Sequence, residues 1–599
     1  MRETDQLAGA KPSIWRLEDF GARADSGEDT VSAMRRAIAA AAGAGGPALL
    51  TCGPGRYDFY PEEAARVPYF ITNTASETEN PDITKTIGIY MKGVRDLTLD
   101  GQGALFVFHG KQTMLVLDGC ERISIRHVHM DYAEPTVTEA MVTGVGDDWI
   151  ELEIHPDSRC VVEDGKLYWI GEGWRFHEGP VQAYDPARDT TWRIDNPVEA
   201  ATTAALIGPR GVRLNFGEAR SAEKALAGIE AGFVLQFRDG IRDQVGAFLL
   251  DSRDVVMDGV GMHFMHGLGI VGQYSKNLTF VRMAIEPRPE TGRTVAAFAD
   301  CIHLMGCRGR IEIADSRFAG AHDDAINVHG TYLQIVGRPA PDTVEVRFMH
   351  PQSYGFEAFR TGDEIEFARS RSLVAFGIGR VRSVERVDDR TLRLTLEEPA
   401  PAAADVEPGD VVENVTWTPE VRIAGNRFAR IPTRGILITT RRKVTIEDNT
   451  FERMRMSAIL IEGDASSWFE SGPVRDLTIR NNRFVECGDA EFPVIAITPA
   501  VDEPDAARPV HRDIRIEGNR FETREALALK AKGAAGVSFT DNEIRASAVT
   551  GDGFGASSVS GALCSFSELS SFSGIEETIR LSACADTDVR DNRFIFSEE

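Results

Sequence analysis

Six short segments share one grammar: a β-branched run, a polar pair that includes Asn, then an aromatic or aliphatic residue. They read "VRIAGNRFARI", "VTIEDNTFERM", "LTIRNNRFVEC", "IRIEGNRFETR", "VSFTDNEIRAS" and "VRDNRFIFSEE", and place asparagines at Asn426, Asn449, Asn482, Asn519, Asn542 and Asn592. Two of the intervals are 23 residues and the others 33, 37 and 50, as expected of single coils with loops of different length or of coils that lost the signature. Alternation within a run, as in Val444 and Ile446 followed by Phe451, marks a strand with one face turned inward. Asn tolerates the turn that follows, and its amide can bond to the backbone or to the Asn above and below. Strands stacked about 4.8 Å apart satisfy each other's backbone and share one core, so no coil needs to be stable alone. The pattern predicts an all-β chain wound as a right-handed parallel β-helix.

The same texture runs upstream through "VRDLTLDGQGALF", "CERISIRHVHMDY", "SRDVVMDGVGMHFM", "SKNLTFVRMAIE" and "GRIEIADSRF". Ahead of it, the N-terminal region reads as a strand, an amphipathic helix over about 30–42 with a Gly stop, and a second strand. This opening resembles the cap of pectin-degrading β-helix enzymes, where a helix covers the exposed edge of the first coil. Two stretches break the pattern with period-2 strands and Gly-Asp turns, "MVTGVGDDWIELEI" in one and "TGDEIEFARS" in the other. They predict small antiparallel β-barrel-like insertions. The expected division is a cap with first coils (14–133), an insertion (134–243), coils carrying the site (244–332), a second insertion (333–420) and C-terminal coils (421–599). Insertions in solenoids gather on one face, often the binding face.

Composition narrows the partners. A formal net charge of −26 argues against nucleic acid, which needs clustered Lys and Arg, and against acidic polymers, leaving a neutral small molecule or glycan. Eight cysteines without a CxxC pair suggest neither a disulfide framework nor a zinc ribbon, and read as buried small side chains. No apolar run approaches the roughly 18 residues of a membrane span. The start "MRETDQLAGAKPSIW" has no apolar signal core, which leaves a cytoplasmic protein and a secreted one with its signal removed as alternatives. Nothing in the sequence decides whether the chain forms a homodimer.

The chemistry concentrates in "FAGAHDDAINVHG", where Asp323 and Asp324 stand between His322 and His329. Counting back 23 residues from Asp323 lands on Asp300 in "AAFADCIHLMG", which predicts that Asp300 and Asp323 occupy equivalent places on successive coils about 5 Å apart. Neighbours in a strand face opposite ways, so Asp324 joins them only if a turn re-aims the chain. Crowded carboxyls separate into one that holds its proton and one that stays ionised, and glycoside hydrolysis needs such a pair. Solvated turn acids and a calcium site are the alternatives.

"HDDAINVHG", "DCIHLMG" and "WRFHEGPVQAYDP" resemble the α-1,3-galactosidases of glycoside hydrolase family 110, over most of the chain. The resemblance implies a β-helix with barrel-like insertions and exo-acting, inverting, metal-independent release of terminal α-1,3-linked galactose from blood group B type or linear α-galactosyl glycans. It implies no cofactor, and a galactose-terminated glycan as the partner. It assigns catalysis to Asp300, Asp323 and Asp324 without saying which is the acid. Around them, His303, His322, His329, Arg434, Glu462 and Trp468 are the expected substrate-binding residues: the indole for stacking on galactose, Arg434 and Glu462 for hydroxyls, His303 and His329 for orienting carboxylates or hydroxyls. Asp464, beside Glu462, is a further acceptor. A polygalacturonase-like hydrolase would need a basic cluster near the Asp pair for its carboxylated sugar, and no Arg-x-Lys element follows the pair. A glycan-binding β-helix without catalysis is the remaining alternative.

Overall fold

The computed structural model describes residues 11–217, 224–402, 405–489, 491–502, 504–505, 507–523, 527–547 and 578–597; the first ten residues, on which the signal-peptide reading partly rests, lie outside them.

Coil stacks on coil with the inward residues in register. Val421 pairs with Val444, Val444 with Leu477, Leu477 with Ile514 and Ile514 with Val537, every pairing parallel. The second face runs from Val245–Leu250 through Leu268–Gln273, Ile302–Met305 and Ile326–Ala340 to Ile436–Ile438, again parallel. The chain is a parallel β-helix.

The asparagines form the predicted ladder. Nδ2 of Asn426 donates to Oδ1 of Asn449 at 3.0 Å, Asn449 to Asn482 at 2.9 Å, Asn482 to Asn519 at 3.0 Å, Asn519 to Asn542 at 3.0 Å and Asn542 to Asn592 at 3.1 Å. Each of these amides also donates to a main-chain carbonyl one coil back, as Asn449 does to Ile423 at 3.0 Å. The residue before each Asn explains the polar pair: Gly425, Asp448, Asn481, Gly518, Asp541 and Asp591 all have φ between 54° and 68°, a region that Gly, Asn and Asp enter at least cost. Beside the ladder, Phe318, Phe428, Phe451, Phe484 and Phe521 stack face to face with centroids 4.7–5.0 Å apart, the spacing that the coils impose.

At the N-terminal end the helix Val31–Gly43 begins one residue later than the sequence suggests. Oδ1 of Asp29 accepts from the Val31 N–H at 3.0 Å, and Met34, Ala37 and Ile38 turn onto the first coils.

Both interruptions are looped out of an unbroken stack. Glu121–Tyr132 pairs directly with Arg253–Asp258, and Arg308–Ala314 with Pro419–Ala424. The first excursion is a seven-stranded antiparallel sheet with a three-stranded sheet beside it, around a core that includes fully buried Trp169 and Phe237. The second closes on itself: Ile326–Ala340, Thr343–Arg347, Thr391–Leu396, Ala375–Arg386, Glu364–Ala368 and Val411–Asn414 pair in a ring back to the first strand. Its interior holds Val346, Ile365, Phe367 and Leu394. The seven cysteines among the described residues are free thiols, five of them buried.

Register at the site differs from the 23-residue count. Ala297 bridges Ala321 and Ile302 pairs with Ile326, an offset of 24. Asp300 is therefore level with Asp324, and Asp323 sits one residue out of the column. On the next coil Ile326 pairs with Ile436, an offset of 110 that puts Arg434 level with Asp324. The local coil is one residue longer than the two regular repeats, and one residue is enough to exchange which neighbour is stacked.

Candidate active site

The coil that carries "HDDAIN" opens into a cavity of about 280 Å³. Asp300, Asp323 and Asp324 all line it, together with Arg434, Glu462 and Trp468. Asn73 from the N-terminal region, Arg242 from the end of the first excursion, and Asn327, Asp464 and Glu470 add to the polar lining.

Each aspartate has its own partner. Arg434 forks Asp324, with Nε 2.9 Å from Oδ1 and Nη2 2.7 Å from Oδ2, while its main-chain N–H donates to Oδ1 at 3.2 Å. Arg242 Nη2 reaches Asp323 Oδ2 at 3.2 Å, and Arg193 Nη2 stands 3.5 Å from Oδ1. Asp300 Oδ2 lies 2.8 Å from Nδ1 of His303.

These surroundings push the carboxyls apart. Burial, then the charge of Asp323, raises Asp300 to about 8. Burial also acts to raise Asp323, yet Arg242, Arg434, Arg193 and Arg238 hold it below the usual carboxylate range. Burial takes Asp324 up to about 6 against the pull of Arg434, a smaller rise than that of Asp300. Glu462 is lifted by burial to about 7, again opposed by Arg434. The cavity therefore presents a protonated carboxyl beside an ionised one, the combination that acid–base chemistry requires.

The three predicted histidines lie behind the cavity surface, whereas Arg434, Glu462, Asp464 and Trp468 line it as the sequence suggests. His322 does not line the cavity; it is buried, with Nε2 3.0 Å from Oε1 of Gln236. His303 and His329 are also buried outside the lining, 2.9 Å apart through their Nε2 atoms, so the part open to them is the orienting of Asp300 and not contact with a hydroxyl. Arg434 spends Nε and Nη2 on Asp324. Asp464 is a loop brace: its carboxylate accepts from the N–H groups of Ser466 at 2.7 Å, Ser467 at 3.0 Å and Trp468. That brace presents Trp468, 41% exposed, with its ring stacked on His350 from the second excursion at 4.3 Å.

Sequence reasoning missed Asn73, Arg193, Arg242, Asn327 and Glu470. Asn327 is three residues beyond the Asp pair and was within reach of the motif; the others come from loops and excursions that no coil period addresses. Oε1 of Glu470 accepts from Nδ2 of Asn73 at 3.1 Å and of Asn327 at 3.4 Å. Burial acts to raise Glu470, but His329, His303 and the two amides hold it below the usual range. Among the described residues, His303, His329 and Glu470 are the one group whose ligand-type atoms lie within 4.8 Å of one another. The 2.9 Å between the two Nε2 atoms is that of a shared hydrogen, and the three could gather around a cation only by giving it up.

A β-helix with a carboxyl-crowded pocket is the equipment of a carbohydrate-active enzyme that works on glycosidic bonds. Residues 343–412 match the family described as GLAA-B beta-barrel domain II. Alpha-1,3-galactosidase A of Bacteroides thetaiotaomicron is 42% identical over 84% of this chain and 86% of its own length. Alpha-1,3-galactosidase B of the same organism is 33% identical over 89% and 86%. Among solved structures, PfbA, a surface adhesin of Streptococcus pneumoniae, aligns over 98% of this chain and 92% of its own, with 11% identity and a TM-score of 0.41. The chain belongs to the α-1,3-galactosidase family of glycoside hydrolases.

Proposed function

We propose that the protein removes terminal α-1,3-linked galactose from glycans of the blood group B type or from linear α-galactosyl chains, with inversion at the anomeric carbon. The observation that carries this reading is the grouping of Asp300, Asp323 and Asp324 around one cavity with their proton affinities driven apart. Both arginines nearest the aspartates are already paired, Arg242 with Asp323 and Arg434 with Asp324, which favours a neutral sugar over a carboxylated one.

In a single displacement, the protonated member of the cluster gives its proton to the glycosidic oxygen as the bond to the anomeric carbon breaks. Water attacks from the opposite face, and an ionised neighbour takes its proton. Asp324, gripped by Arg434, keeps its charge beside the pair that exchanges protons. The product is β-galactose. Proton NMR during the first minutes of hydrolysis tests this: β-galactose first is expected, α-galactose first refutes inversion, and no galactose from any α-1,3-linked substrate refutes the substrate assignment.

A further inference from the structure

Asp300, His303 and His329 form a line of hydrogen bonds that leads inward from the cavity lining, and the Glu470 carboxylate of the same lining stands beside its far end. Asp300 Oδ2 is 2.8 Å from His303 Nδ1, and His303 Nε2 is 2.9 Å from His329 Nε2. His329 Nδ1 is 2.6 Å from the Gly330 carbonyl oxygen, and Glu470 Oε1 is 3.5 Å from His329 Nε2. His303 and His329 are 0% and 3% exposed, so the contacts must be satisfied from within.

The chemistry of donors and acceptors fixes where hydrogens can sit. A carbonyl oxygen only accepts, so His329 Nδ1 carries a hydrogen. The contact between the two Nε2 atoms needs one hydrogen, and so does the contact between Asp300 and His303. Three arrangements satisfy all three contacts with the same three hydrogens; one of them, an imidazolium at His303 beside an Asp300 carboxylate, is disfavoured by the complete burial of His303, and two remain. In one, Asp300 is a neutral acid donating to His303 and both imidazoles are neutral. In the other, Asp300 is a carboxylate, His303 carries its hydrogen on Nδ1, and His329 is an imidazolium facing Glu470. They interconvert when the Asp300 proton moves to His303 Nδ1 while the His303 Nε2 proton moves to His329 Nε2. No bond between heavy atoms changes and no solvent proton takes part.

We infer that His303, His329 and Glu470 act as a proton wire between Asp300 and the His329–Glu470 pair, and so set whether Asp300 is an acid or a carboxylate when a sugar occupies the cavity. Burial lowers His303 to about 4, which makes it a conduit and not a store. Glu470 is held ionised at the far end. Asp323, Asp324, Glu470, Arg242 and Arg434 face Asp300, and Asp300, Asp323, Asp324, Arg242 and Glu470 face His303. Glu470 also faces His329, His350 and Glu462. Of these only Glu470 meets the imidazole at the end of the line, so it is the positioning residue whose charge should bias the wire.

The inference deepens the glycosidase reading of this cavity and rests on it for its kinetic test alone. Glu470→Gln keeps the side-chain shape and removes the charge that favours an imidazolium at His329. The limb of the kcat–pH profile governed by Asp300 should then move to lower pH by about one unit, the scale of a close charge, because the variant loses the imidazolium arrangement that also holds this proton and the direct charge of Glu470 that raises Asp300, with a smaller change in KM. Movement of the acidic limb makes Asp300 the base, and movement of the alkaline limb makes it the acid. A uniform fall in kcat with both limbs in place overturns the wire. Nitrogen-15 spectra of histidine-labelled wild-type protein need no substrate: below the Asp300 titration, hydrogens are expected on Nε2 of His303 and Nδ1 of His329. Hydrogens on both nitrogens of His303 instead, an imidazolium paired directly with Asp300 that leaves His329 neutral, would overturn the inference even if no galactoside is hydrolysed.

Discussion

Arg434 grips Asp324 across one coil of the solenoid, with both carboxylate oxygens bonded and the pair level in the stack. The Asp324 side chain is 2% exposed and that of Arg434 24%. A buried carboxylate that loses its counter-charge is strained far more than a surface one. Arg434→Met should therefore lower stability by about 3–5 kcal/mol, read from urea or thermal unfolding, and depress turnover as well. A change within error would remove the pair from the structural core of the site.

Asp300→Asn, Asp323→Asn and Asp324→Asn should each reduce kcat by about a hundredfold or more, because a positioned acid or base typically contributes that much. Circular dichroism should show the fold intact, since each amide keeps the shape. Near-normal turnover in any one variant would take that residue out of the chemistry.

Asp300 also predicts a stability trend. Its folded pKa, about 8, is above that of an unfolded aspartate, about 3.9, so the folded chain keeps a proton that the unfolded chain has lost. The contribution is complete below the unfolded value and fades as pH rises through the folded one. Asp300→Asn cannot titrate, and its amide can still donate to His303. The melting temperature of the variant relative to wild type should climb between pH 4 and pH 8, and a flat difference would contradict the raised pKa.

Trp468 stands on His350 at the cavity rim. Trp468→Ala should raise KM roughly fivefold, matching the 0.5–1.5 kcal/mol of an aromatic stack, with a smaller effect on kcat. An unchanged KM would make the indole a loop anchor only.

Exhaustive chelation should leave hydrolysis unaffected, since carboxyls suffice for this reaction. Loss of activity in EDTA that zinc restores would reassign His303, His329 and Glu470 from proton sharing to metal binding; loss that calcium restores would reassign the aspartates.

The ladder and the aspartate pair were legible in the sequence because each coil repeats its own local chemistry. A residue that enters the left-handed region, then Asn, then an aromatic, specifies turn, ladder and core in three positions wherever it recurs, as at Asp448, Asn449 and Phe451. The adjacency of Asp323 and Asp324 is likewise a fact of the chain itself. What stacks on what was decided by tertiary structure. A local coil of 24 residues puts Asp300 opposite Asp324, and no count of the regular repeats contains that extra residue. Arg242 and Arg193 meet Asp323 only because a long excursion folds back over the coil, and Asn73 meets Glu470 across 397 positions of sequence. A period records neighbours one coil away. It carries no information about loops, whose contacts are set by where independently packed cores come to rest on the helix.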